Sequence, residues 1–197
     1  AIILPEGLDS IGKRAFNHTN LTSVDIPDTV TSIGDSAFSS CYKLESVDLP
    51  ASLGAIGDST FYCCERLTTI TIPAAVTYIG YGAFYGCTSL TEIVIPDSVE
   101  TINSHCFEGC TSLSEIAPAD GLKTVQAYAF SGCTGLTKAE LPDSVTTLNA
   151  RAFYNCTNLS EVKLSSNWNT TQVTSSTHYY DSPFYGCTKL TEITIPE

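Results

Sequence analysis

Every phenylalanine in this chain falls at the same phase of a repeat. Phe16, Phe38, Phe61, Phe84, Phe107, Phe130, Phe153 and Phe184 are separated by 22, 23, 23, 23, 23, 23 and 31 residues. Three residues after each comes a cysteine (Cys41, Cys64, Cys87, Cys110, Cys133, Cys156, Cys187), with Thr19 in its place in the first unit. A leucine follows at Leu21, Leu44, Leu67, Leu90, Leu113, Leu136, Leu159 and Leu190. Prolines mark the same phase at Pro5, Pro27, Pro50, Pro73, Pro96, Pro142 and Pro196, with Pro118 one place early. A period between about 20 and 50 residues is the mark of stacked supersecondary units. Twenty-three residues are too few for a four-stranded propeller blade, so the chain reads as a solenoid.

Each unit has a physical reading. In "LTEIVIP", Leu90 to Pro96, Ile93 and Ile95 alternate with Glu92 and Val94, which is strand spacing. Proline ends the strand because it brings no N–H to a ladder. "VETIN", Val99 to Asn103, turns two more aliphatic residues inward. The next phase holds Gly34, Gly57, Gly80, Asn103, Gln126 and Asn149, and five of these six are types that tolerate positive φ, so a left-handed turn is expected there. "SHCFEGC" is then a turn or 3₁₀ segment, too short for a full helix. Its small residue (Ala37, Ala83, Cys106, Ala129, Ala152) and its phenylalanine point inward. One unit cannot cover both sides of so short a loop, but stacked units can. The expectation is one continuous parallel sheet of nine strands on one face, turns on the other, about eight 23-residue repeats, and a column of eight rings inside.

The pattern L-x-x-I-x-I-P-x-x-V-x-x-I-G-x-x-A-F-x-x-C-x-x-L resembles the BspA-like leucine-rich repeat family, over essentially all 197 residues. The resemblance implies a leucine-rich-repeat solenoid from a bacterial cell-surface or secreted protein. It also implies adhesion to protein or glycan ligands on host or neighbouring cells. It supplies no catalytic motif to carry over, so the expectation is a non-enzymatic binding module without cofactors. The rival is a passive stalk that displays another domain. The chain reads as a single array over 1–197. It starts and stops in mid-repeat, so it is expected to be a piece of a longer protein, monomeric or weakly associated end to end.

Composition narrows the partners. With 21 acidic against 9 basic residues the net charge is −12, which repels nucleic acid and anionic lipid headgroups. No apolar run approaches the roughly 20 residues of a membrane span, and "AIILPEGLDS" lacks the features of a signal peptide. Nine cysteines invite a disulfide framework, but seven stand in one repeat column where each inner member has two equivalent neighbours, which reads as a buried thiol column. Zinc needs four converging ligands, and Cys63–Cys64 have no histidine beside them, so no metal is expected. Cys106, after His105, occupies the inward small-residue phase and reads as a spacer, not a nucleophile.

Two places remain as candidate binding sites. The outward strand positions hold Asp25, Asp48, Glu92, Glu115, Glu140, Glu161 and Glu192, with Lys138 and Lys163 late in the series. Stacked, they form an acidic ribbon suited to steering a basic protein patch, or simply to keeping an exposed sheet soluble. The long step from Phe153 to Phe184 places an insertion at 165–182, with Ser165 to Thr177 as a projecting loop. It carries Trp168, His178, Tyr179 and Tyr180, residue types enriched at interface hot spots. Pro118 stands where other units have an aliphatic residue, and a weakened strand is expected at that rung. Sequons at Asn17, Asn20, Asn155, Asn158 and Asn169 would accept glycans in a eukaryotic source.

Overall fold

A computed structural model describes residues 2–117, 119–166 and 182–194. Its regular structure is short parallel strands joined by turns. In chain order they are β1 (Ile2–Ile3), β2 (Ser10–Ile11), β3 (Ser23–Asp25), β4 (Ser32–Ile33), β5 (Ser46–Asp48), β6 (Ala55–Ile56), β7 (Tyr78–Ile79), β8 (Glu92–Val94), β9 (Thr101–Ile102), β10 (Glu115–Ala117), β11 (Thr124–Val125), β12 (Lys138–Glu140), β13 (Thr147–Leu148), β14 (Glu161–Lys163) and β15 (Glu192–Thr194). The strands fall into two stacks. The "TEIV" segments pair as β1-β3-β5, β8-β10 and β12-β14-β15, and the "ETI" segments as β2-β4 and β6-β7-β9-β11-β13. All pairings are parallel and keep the repeat in register, for example Ile116 beside Ile93 and Val125 beside Ile102.

The ring column is as the periodicity requires. Successive rings from Phe16 to Phe184 stack with centroids 5.1–5.6 Å apart and tilts of 3–19°. Phe38 to Phe153 are fully buried, and Phe16 and Phe184 at the two ends are half-buried. Leucine, valine, isoleucine and the small turn residue complete one core along the stack.

Three details differ from the sequence reading. First, the sheet is not continuous. Thr69–Thr71 joins no ladder, and β10 does not pair with β12. Pro118 itself lies outside the described residues, but its chemistry accounts for the second gap. At the equivalent phase Ile95 N–H donates to the Ala117 carbonyl (3.0 Å), Leu141 to Lys163 (2.9 Å) and Leu164 to Thr194 (2.9 Å). A proline has no N–H to make the corresponding bond.

Second, Gly34, Gly57 and Gly80 are not left-handed. A Cβ on Gly34 would lie 2.6 Å from the Lys13 backbone nitrogen, and one on Gly80 would lie 2.6 Å from that of Asp58. Glycine there permits close approach of coils. The left-handed residues bracket the phenylalanines from Phe16 to Phe153 instead, among them Ser36, Ser59, His105 and Tyr128 two before and Ser40, Cys63 and Asn155 two after, these seven with φ of 54–60°.

Third, the turn is not a 3₁₀ helix. Its backbone alternates between i→i−3 bonds within the coil and bonds to the next coil. Phe16, Phe38, Phe61, Phe84, Phe107, Phe130 and Phe153 each donate N–H to the following coil at 2.7–3.0 Å, without interruption. The residues two further on do the same, from His18 to Ser39 through Asn155 to Tyr185. The unbroken backbone ladder therefore runs along the turns, not the sheet. It offsets the left-handed backbone, which costs about 1–2 kcal/mol per non-glycine residue.

The cysteine column has a similar logic. Each thiol donates to the phenylalanine carbonyl of the preceding coil, from Cys41 to Phe16 through Cys187 to Phe153, at 3.1–3.2 Å. All nine cysteines are free.

Candidate ligand-binding face

The outward residues of the longer strands form two parallel rows. One runs Ser23, Ser46, Glu92, Glu115, Lys138, Glu161, Glu192, and the other Asp25, Asp48, Val94, Ala117, Glu140, Lys163, Thr194. The ribbon read from the sequence is thus resolved into two lanes. Glu92, Glu115, Glu140 and Glu192 are exposed, and Glu161 is half-buried. Register sets like charges side by side: Asp25 beside Asp48, Glu92 beside Glu115, and Glu161 beside Glu192. Directly opposed like charges destabilise a sheet. Only one close cross-rung pair relieves this among the described residues of the two rows, Lys138 to Glu161 at 2.6 Å. The hydrogen bond to Glu161, reinforced by its charge, raises the Lys138 pKa.

The gap between β10 and β12 opens a cleft of about 710 Å³ on this face. Glu115, Asp120, Lys138, Glu140, Asp143 and Lys163 line it, above an apolar floor that includes Ile116 and Leu141. Ala139 fills the inward strand position that Val24, Val47, Ile70, Ile93, Ile116, Val162 and Ile193 fill elsewhere. The floor is correspondingly thin, and Ile116 is only half-buried where Ile93 is 1% exposed. At the rim, the backbone N–H of Ser166 bonds the Asp143 carboxylate at 2.8 Å and holds its pKa below the usual carboxylate value. The cleft therefore offers fixed carboxylates and two ammonium groups around an apolar slot. That combination suits a charged side chain or chain segment of a partner.

The second candidate site falls on residues beyond those the structure describes, Trp168, His178, Tyr179 and Tyr180. At the near edge of the insertion, Ser165 belongs to the coil and not to a projecting loop: it is fully buried, and its hydroxyl donates to the Asp143 carbonyl at 2.9 Å.

A third feature was not anticipated. On the turn side, Tyr62 stacks on Tyr85 (4.7 Å), His105 on Tyr128 (5.0 Å) and Tyr154 on Tyr185 (5.8 Å). The Arg151 guanidinium lies 5.7 Å from the ring centres of both Tyr128 and Tyr154 and donates to the Tyr128 hydroxyl at 2.6 Å. His105 pairs with Glu108 beside them. The signal was present in the sequence: Tyr62, Tyr85, Tyr154 and Tyr185 each follow the repeat phenylalanine directly. Among the described residues, no group of three or more histidine, cysteine or acidic side chains is placed to hold a metal ion. No described helix is long and apolar enough to cross a membrane.

Comparison with known proteins agrees with this geometry. The T. pallidum Leucine Rich Repeat protein (TpLRR) superposes with a TM-score of 0.69 at 27% identity, over 96% of this chain and 77% of that one. A leucine-rich repeat protein from Bacteroides ovatus superposes with a TM-score of 0.53 at 27% identity, over 98% and 68%. A third, from Eubacterium ventriosum, gives 0.59 at 25% identity, over 94% and 64%. No curated protein sequence matches. The BspA type Leucine rich repeat region matches in six copies across residues 1–93 and 77–197. With its phenylalanine column, cysteine ladder and 23-residue coils, the chain belongs to the BspA-type leucine-rich repeat family.

Proposed function

We propose that this array is a non-enzymatic binding module, displayed at a cell surface or secreted, whose strand face takes a basic patch of a partner protein. The single observation that carries the reading is the pairing of like carboxylates in register along this face, Asp25 with Asp48 and Glu92 with Glu115, of which Glu115 also lines the charged cleft at the β10–β12 gap. Repulsion held along an exposed face is relieved when a cationic partner docks, and the same field speeds the encounter. A role as stalk requires no such arrangement. The acids recur as stacked rows and not as an isolated pair in an enclosed pocket, which favours recognition over acid–base chemistry. The surface location rests on the family resemblance.

The test is surface plasmon resonance of the chain against a panel of immobilised extracellular matrix proteins at moderate salt. Binding that weakens by about tenfold in the Glu92→Lys, Glu115→Lys double variant, and falls with added salt, supports the reading. Binding indifferent to both, or absent across the panel while the folded chain is intact by circular dichroism, removes it and favours the stalk.

A further inference from the structure

The turn side carries a second site, independent of the strand face. Tyr62 is the end ring of a short column. One of its faces lies on Tyr85, 4.7 Å away and tilted by 6°. The equivalent position one coil earlier is Ser39, and one coil before that is Asn17. The rings therefore stop at Tyr62, and the next two coils step down to small polar residues. Over this step lies a cleft of about 510 Å³, lined by Arg14, Asn17, Ser36, Ser39, Ser59 and Tyr62, with His18 at the rim. Among the described residues, the side-chain oxygens of Ser36, Ser39 and Ser59 have no hydrogen-bond partner and Arg14 has no ion-pair partner.

We propose that this notch is a subsite for one hexopyranose unit of a neutral glycan. A pyranose has a face of axial C–H groups and an edge of hydroxyls. The C–H face matches the negative face of the Tyr62 ring. The hydroxyl edge matches a rim of uncommitted hydroxyls, an amide and a guanidinium. The volume lies within the range of small-molecule sites, and the open shape accepts a unit that continues into a longer chain. A nucleotide could also stack on Tyr62 and place its phosphate on Arg14, but Arg14 is the only residue of the lining with a fixed positive charge and the chain carries a net −12. Neutral ligands are favoured by that balance. Lys13, next in sequence, is committed to Asp35 at 3.2 Å.

Saturation-transfer NMR of the intact chain with the methyl glycosides of glucose, galactose, mannose and N-acetylglucosamine tests the assignment. The expected result is transfer to the ring C–H protons of at least one glycoside, with amide shifts at Ser36, Ser39 and Tyr62. Tyr62→Ala weakens that binding by about tenfold, whereas Tyr62→Phe, which keeps the stacking face, retains it. The Arg14→Ala variant, at an exposed position, weakens binding without affecting the fold, and Tyr185→Ala at the far end of the chain leaves it unchanged. Absence of transfer from every glycoside, binding that survives Tyr62→Ala, or tighter binding of adenosine monophosphate at the notch overturns the proposal. The strand-face reading stands in each of those cases, since its readout is charge reversal at Glu92 and Glu115.

Discussion

The carbonyl of Phe84 receives two donors: the Cys87 N–H of its own coil at 3.2 Å and the Cys110 thiol of the next coil at 3.2 Å. Repeated along the stack, this makes cysteine both a spacer and a donor. It is small enough to sit fully buried beside the ring and still closes the second lone pair of a buried carbonyl. Burial pushes the Cys110 thiol up to about 12 from its ordinary 9.0, with a backbone hydrogen bond at Cys87 offsetting part of the effect. Burial also raises Cys87, Cys106 and Cys133 well above that value. The unfolded chain thus releases these protons near pH 9 while the folded chain keeps them. For Cys110 the stabilising contribution is complete below pH 9 and is lost as pH rises toward about 12, by roughly 1.4 kcal/mol per pH unit, and the other raised thiols act in the same direction. Tyr62, Tyr78 and Tyr85, also raised chiefly by burial, add to the trend. Urea unfolding at about pH 8 and about pH 10.5 should show a steep loss of stability in the parent chain. In Cys110→Ala the loss should be shallower by one thiol. Equal slopes would mean that the thiol ionises as readily in the folded chain as in the unfolded one.

At the scale of the element, the periodicity made the coil, its inward residues and the ring column legible, because all three depend on which side chains are apolar and how far apart they stand. It did not reveal which backbone ladder is continuous. Hydrogen bonding by main-chain groups leaves no mark on side-chain type, except where a residue lacks the donor. Pro118 is that exception, and the gap beside it follows from its missing N–H. The left-handed residues were misplaced for a related reason. Glycine at Gly34 and Gly80 is required by contact with the preceding coil, and the positive φ falls on serine, tyrosine and histidine, whose side chains do not announce it. Pro118→Ile should restore a donor and an aliphatic side chain at the break. One hydrogen bond contributes about 1 kcal/mol and burial of the side chain about 1.5 kcal/mol or more, against about 1 kcal/mol for the freedom regained by the unfolded chain. The expected net gain is about 1–2 kcal/mol in urea unfolding, with slower amide exchange at Lys138–Glu140. A loss of stability would show that the break is set by something other than the absent donor.

For the whole molecule, the decisive quantity is charge. The acidic strand face could be read from the sequence because alternation assigns each residue a side, but its division into two lanes with carboxylates abreast depends on register. The cleft depends on a rung that fails to pair. Coils are spaced by about 4.8 Å, so each carboxylate on the face has several like neighbours within the roughly 30 Å reach of an ionic field at 0.01 M salt. At 0.15 M that reach shrinks to about 8 Å, little more than the adjacent coil. Screening also weakens the exposed ion pairs Lys13–Asp35, Arg66–Glu45, Lys123–Glu100 and Lys138–Glu161, but pairs this exposed contribute little to stability. With 21 acids and 9 bases there are too few cations for attraction to outweigh repulsion. The Tm of the folded chain should therefore rise as sodium chloride is raised from about 0.01 M to about 0.15 M. The rise should be smaller in Glu92→Gln, Glu115→Gln, where one abreast pair is neutral. A Tm that falls with salt, or rises equally in both proteins, would mean that the carboxylates of the strand face do not repel one another strongly enough to favour a cationic partner.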